Sequence, residues 1–226
     1  MFSEIITKLS VWIIPLLLAI TLHEAAHGWM AWKKGDPTAK LQGRVSFNPL
    51  VHVDAFGTVL LPLLLLFMQA PFLFGYAKPV PVNFRNLQNP RRDMVWVAFA
   101  GPGANILLAL LGGLLLNVLY IAPGFASDWL GYNLSNLILI NAFLAVFNML
   151  PLPPLDGGRV AVGLLPDALA RPLARLEPYG MMILIGLLFL LPFIGAQLGL
   201  NFNILFVIIE PFVEMIMKLA YSLVMI

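Results

Sequence analysis

The chain has 226 residues, of which 61% are hydrophobic and 11% charged, with a mean hydropathy of +0.92. A soluble domain carries about 25% charged residues, so the composition excludes an ordinary water-soluble globule and points to lipid as the solvent. The net charge of +2 is what basic loops on one face of a membrane supply and does not indicate nucleic acid; the absence of cysteine excludes disulfides and thiolate metal ligands.

At about 20 residues per membrane crossing, this length suits one compact bundle. The expected fold is an all-α polytopic membrane protein. It has about five transmembrane helices, plus a re-entrant hairpin with short β-strands near the candidate site. No segment is left over for a soluble domain. A single membrane-embedded domain is therefore expected over 1–226, with a core at about 9–165 and C-terminal helices within 180–226.

The first predicted helix runs from Leu9 to Trp32. It has neither a short charged leader nor a small-residue cleavage site, so it reads as a retained helix rather than a signal peptide. Inside it lies His23-Glu-Ala-Ala-His27. Residues four apart share a helix face, so two imidazoles can bind one metal ion, and Glu24 beside them can take a proton from water. Ionisable side chains in hydrocarbon cost at least about 2.5–3.5 kcal/mol each on insertion scales, which makes this trio a functional set rather than passengers.

A polar stretch follows at 33–50, with Gly35, Pro37, Gly43 and Pro49 as breakers and partial alternation at 40–47 that predicts a short strand. Residues 53–75 are apolar but interrupted by Gly57, Pro62 and Pro71. A second polar stretch, 76–93, contains three prolines. Apolar helical runs then recur at 94–121, 132–150, 180–194 and 201–225.

The other motif with metal chemistry ends the 132–150 run: Phe147 to Arg159 reads FNMLPLPPLDGGR. Its prolines prevent regular helix and Gly157–Gly158 let the backbone turn, a rigid break suited to presenting Asp156 inward. With no cysteine available, a metal needs a carboxylate or a further histidine. Asp156 is the best third ligand, with His52 and Asp54 as competitors or supporting groups. Two His and a carboxylate with one open position is the usual layout of a hydrolytic zinc site, one ion per chain. Asn148 and Asn105 lie on apolar helices, where an amide can donate to an oxyanion or make an interhelical hydrogen bond.

For Asp156 to reach the histidines, the helices carrying them must run the same way. That leaves an even number of crossings between them, so 53–75 is expected to enter and return, broken around Pro62, rather than span. Loops 33–52, 76–93 and 156–178 then share one side and hold 11 of the 13 Lys and Arg residues. The positive-inside rule makes that side cytoplasmic, with the active site facing it in a multi-pass cell-membrane protein.

HExxH in a membrane helix together with FNxxPxPPLDGGR in a later one resembles the site-2 protease family of intramembrane zinc metalloproteases. The stretch AGPGAN at 100–105 matches a third landmark of that family. GRVSFNPLVHVDAFGTVLLP at 43–62 and GYAKPVPVN at 75–83 are similar to its small prokaryotic branch. The resemblance spans about residues 15–165. It implies His23, His27 and Asp156 as zinc ligands, Glu24 as base and Asn148 as a group contacting substrate or oxyanion. Many members carry an extra helix before HExxH, or a PDZ or CBS domain, and these 226 residues show neither. The implied activity is endoproteolysis of transmembrane segments of other membrane proteins, with the lipid bilayer as the other partner. The rival is a non-proteolytic membrane zinc-binding protein or metal transporter, which needs ligands but no base.

Overall fold

The computed structural model describes residues 2–68, 75–121, 124–200 and 202–224. Helix α1 (Phe2–Lys33) is followed by the single turn α2 (Thr38–Leu41). A 3₁₀ turn at Pro49–His52 and a π-helical stretch at Ala55–Leu60 lead into α3 (Leu61–Phe67). Then come α4 (Pro90–Leu116), α5 (Gly124–Asn148), α6 (Asp156–Leu164) and α7 (Asp167–Ala174). The chain ends with α8 (Gly180–Ile185), α9 (Leu191–Gln197) and α10 (Ile204–Tyr221). Four helical stretches are long and apolar enough to cross a membrane among the described residues: Leu9–Lys33, Pro90–Tyr120, Ala126–Asn148 and Asp167–Gln197.

Three long helices build the frame. Near their starts, α1 and α5 touch through Trp129 Nε1, which donates to Ser10 Oγ at 2.9 Å, and Asn136 Nδ2, which donates to the Val11 carbonyl at 2.7 Å. Near their ends, His23 and His27 meet Asp156, just beyond α5. The two therefore run in parallel. Between them α4 runs the other way, with Val97 beside His27 and Asn105 beside Ala19 and His23. The helices carrying the two motifs thus run the same way, with α4 antiparallel between them.

The segment expected to turn back leaves and returns at one place. The Lys78 N–H donates to the His52 carbonyl at 2.9 Å, and the Tyr76 N–H to Gly57 at 3.1 Å. Its form differs from expectation. Asp54 caps a helix by accepting from the Phe56 and Gly57 N–H groups, and this helix runs through Pro62 to Phe67 instead of breaking there. Residues 69–74 lie outside the described residues. The strand expected at 40–47 is absent: Thr38–Leu41 is a helical turn held by Asp36, and no strand occurs among the described residues. Alternation over so few residues lost to local side-chain capping.

The fifth crossing also differs. Leu205, Ile209, Val213, Ile216 and Ala220 form the buried stripe of α10, but Glu210, Glu214 and Lys218 give it too many charges to count with the four. Its C-terminal end packs on that of α4: a Cβ on Gly113 would lie 2.1 Å from the Ala220 carbonyl oxygen, and Asn117 Nδ2 donates to the Leu223 carbonyl. So α10 runs alongside α4 in the same direction.

Gln42, Gln88 and Ala168 sit at the end of the bundle that holds Asp156, and Ser127 at the other. In the cysteine-free background, single cysteines at the first three positions are expected to label with a membrane-impermeant maleimide from one side only. A cysteine at Ser127 is expected to label from the opposite side only. Opposite-side labelling of 42 and 88 would contradict this topology.

Candidate metal centre

Asn89–Pro90 starts α4, with Asp93 accepting from the Asn89 N–H, and α5 stops where Pro151, Pro153 and Pro154 forbid further helix. Asp156 then opens α6 and is buried together with Gly157 and Gly158. A Cβ on Gly157 would lie 2.2 Å from the Met149 carbonyl oxygen, so only glycine lets α6 fold back against the end of α5.

The result is a cluster of three buried ligand atoms. His23 Nε2 and His27 Nε2 lie 3.3 and 3.2 Å from Asp156 Oδ2, and 3.0 Å from each other. Tetrahedral zinc with ligands at about 2.0–2.1 Å separates them by about 3.3 Å, so the spacing fits one ion.

The hydrogen bonds behind the rings fix their protons. His27 Nδ1 faces the Val97 carbonyl at 2.7 Å, which can only accept, so Nδ1 is the donor. His23 Nδ1 faces Asn105 Oδ1 at 2.6 Å. The Asn105 amide is oriented because its Nδ2 donates to the Ala19 carbonyl and to Asn141 Oδ1, while Asn141 Nδ2 donates to the Leu137 carbonyl. With each Nδ1 engaged behind the ring, each Nε2 is turned toward the other and toward the Asp156 carboxylate. Three potential ligand atoms gathered away from water call for positive charge among them, which a metal ion would supply. Gly101 completes the cradle: a Cβ there would come within 2.3 Å of His27 Nε2 and 2.7 Å of His23 Cε1. The residues therefore fit a zinc ion, which would supply Lewis acidity and an acidified water.

Beside the cluster is a cavity of about 370 Å³. Glu24, Asn148 and Arg159 are among its polar lining groups, and Tyr76, Val80 and Val97 among its apolar ones. Glu24 is outside the ligand trio, and its Oε2 accepts from the Val80 N–H at 2.8 Å. Asn148 Nδ2 donates to the Leu144 carbonyl of its own helix. Asn105, with no exposed surface, holds His23 and does not line the cavity.

Among the described residues the ligand cluster does not include His52 or Asp54. Buried His52 bonds the Ser46 carbonyl through Nε2, and Asp54 is a helix cap. Both organise the loop that delivers 75–83. Sequence reasoning missed Asn141 and the Val97 carbonyl, neither of which stands in a recognisable motif. Gly101 was visible there only as part of the AGPGAN stretch.

Two findings from comparison bear on this geometry. A profile described as Peptidase family M50 matches residues 121–191. Three relatives carry names beginning "Putative zinc metalloprotease". YwhC of Bacillus subtilis is 41% identical over 185 residues, covering 80% of each chain. The chain belongs to peptidase family M50, the site-2 protease family. Rip2 of Mycolicibacterium smegmatis is 31% identical over 76% of this chain and 64% of its own length. MJ0611 of Methanocaldococcus jannaschii is 44% identical over 64 residues, 28% of this chain and 31% of its own. No solved structure matches.

Asp156→Ala is expected to lose most of the bound zinc while His52→Ala keeps it, read by metal analysis of the purified protein. Gly101→Ala should lose it too, with an unchanged helical signal, because the methyl would collide with both imidazoles and displace them. Asn105→Leu should weaken zinc affinity about 10–100-fold by freeing the His23 ring. Full zinc in Gly101→Ala would contradict the assignment.

Proposed function

We propose that this M50 member is an intramembrane zinc endopeptidase that cuts transmembrane segments of other membrane proteins, with His23, His27 and Asp156 as metal ligands and Glu24 as base. The observation that carries this reading is the base: a carboxylate on the cavity wall, next to the ligands in sequence yet outside their cluster. Metal storage or transport needs the ligands alone. Hydrolysis also needs a group that takes the proton of the attacking water and returns it to the leaving amine, a role that Glu24 on the cavity wall would fill.

Substrate must enter unwound, because helical carbonyls are bonded within their own helix. The cavity walls suit an apolar segment, and Asn148, once released from Leu144, can donate to the carbonyl under attack. The extended run 76–82 borders this cavity, but its power to pair with substrate as a strand is limited. The N–H groups of Tyr76, Lys78 and Val80 are taken, and Pro79 and Pro81 have none, leaving Ala77 and Val82 as N–H donors. Substrate would be held mainly through carbonyls on this side.

The enzyme is a multi-pass protein of the cell membrane. Segment 53–75 dips in and returns, and the site lies toward the cytoplasm. Supporting this is the concentration of basic residues at the site end, where Lys33, Lys34 and Lys40 lie over Trp29, Trp32 and Trp96. Trp12 and Trp129 mark the other end. From Trp12 to Trp32, α1 rises about 30 Å, the thickness of a hydrocarbon core.

Glu24→Gln is expected to keep its zinc and fold yet abolish cleavage of a model transmembrane substrate in micelles. Asn148→Ala should keep its zinc and lose about 10²–10³ in kcat. Cleavage by Glu24→Gln at a near wild-type rate would overturn the mechanism, and a wild-type protein that binds zinc but cuts nothing would favour the non-proteolytic alternative.

A further inference from the structure

The peptide group between Pro79 and Val80 is held from both sides. Its N–H, on Val80, donates to Glu24 Oε2 at 2.8 Å. Its carbonyl, on Pro79, accepts from Nη2 of Arg44 at 3.3 Å. The same guanidinium also donates to the carbonyls of Lys78 and Val51. Arg44 is only 6% exposed, its Nε has no partner, and it makes no ion pair with a carboxylate among the described residues. A guanidinium buried against carbonyl dipoles alone is costly, and the metal-centre residues make no direct use of it.

Its position suggests the use. Hydrogen bonds in series polarise one another, so a cation at the carbonyl end of a peptide makes the N–H at the other end a stronger donor. Here that N–H ends on the base. It engages Oε2, while Glu24 as a whole lines the cavity. The run that carries it belongs to no helix or strand, so the place of the Val80 N–H depends on staples to neighbouring loops. Lys78 bonds His52 and Asn83 bonds Asp36, but Arg44 alone joins three carbonyls from two segments.

We propose that Arg44 is a positioning residue that acts on Glu24 through the Pro79–Val80 peptide, fixing which carboxylate oxygen is presented to the cavity. This rests on Glu24 being the base. It adds a residue some 20 positions downstream in sequence, outside the HExxH helix, whose role is carried by a main-chain group rather than a side chain.

Two variants of the full chain in micelles test it. Arg44→Lys keeps a charge but loses the planar fork, and Val80→Pro deletes the N–H at a residue that the following Pro81 already biases toward extended backbone. Each should retain its zinc and lower kcat roughly 10–100-fold with little change in KM. The double variant should be no slower than the slower single one, because both break one relay. A readout independent of cleavage is the Val80 amide proton in ¹⁵N-valine-labelled protein. It should move upfield in both Arg44→Lys and Glu24→Gln as its hydrogen bond weakens. Additive losses, a rise in KM with kcat unchanged, loss of zinc in Arg44→Lys, or a Val80 resonance that ignores Arg44→Lys would overturn the proposal. Absence of cleavage by the wild-type protein would instead sink the peptidase reading and leave the Val80 resonance to decide the relay.

Discussion

Three potential ligand atoms turned on one another inside a largely apolar protein are the constraint on which the rest depends. Two imidazole nitrogens and a carboxylate oxygen, all within 3.3 Å of each other, call for positive charge among them. Holding them there takes backing that gives them no freedom to turn away. The Val97 carbonyl and the chain from Asn105 through Asn141 to Leu137 provide it, and both end on a main-chain oxygen that can only accept. The asparagines thus join α1, α4 and α5 and set the histidine tautomers at once. In a bilayer, where packing surfaces and lipid are equally apolar, such polar joints also give the bundle its register.

The second consequence concerns direction. His23 and His27, toward the end of α1, meet Asp156, just beyond α5, because those helices are parallel, with α4 running the other way between them. Residues 52 and 78, on either side of the intervening apolar stretch, are brought together by a main-chain hydrogen bond. That closure also delivers the extended run 75–83 to the cavity beside Glu24. One loop therefore closes on itself and builds a wall of the site. Its position is set by Arg44, Asp36 and His52 rather than by a sheet.

How much of this was legible in the sequence follows from the physics of each feature. His23, His27, Glu24 and Asp156 stood out because ionisable groups are rare in apolar helices, and because prolines and paired glycines mark a backbone break. The parallel course of α1 and α5 followed from requiring a shared metal. Local elements governed by competing weak signals were not legible: residues 38–41 turn under the influence of Asp36 where alternation suggested a strand, and the helix after Asp54 passes through Pro62. Asn105 left two readings open, since an asparagine on an apolar helix looks alike whether it braces a site residue or another helix; here it bonds both His23 and Asn141. The orientation of α10 could not be read from hydropathy, which reports that a helix is apolar and not which way it runs.

The central claim is that two histidines and one carboxylate hold the metal. The chain contains only three histidines, so counting imidazoles is decisive. X-ray absorption at the zinc edge of the loaded protein should show two imidazole ligands, with the remaining shell made of oxygen at about 2.0–2.2 Å. A spectrum requiring three imidazoles would bring His52 into the site, remove Asp156 from its place and contradict the account.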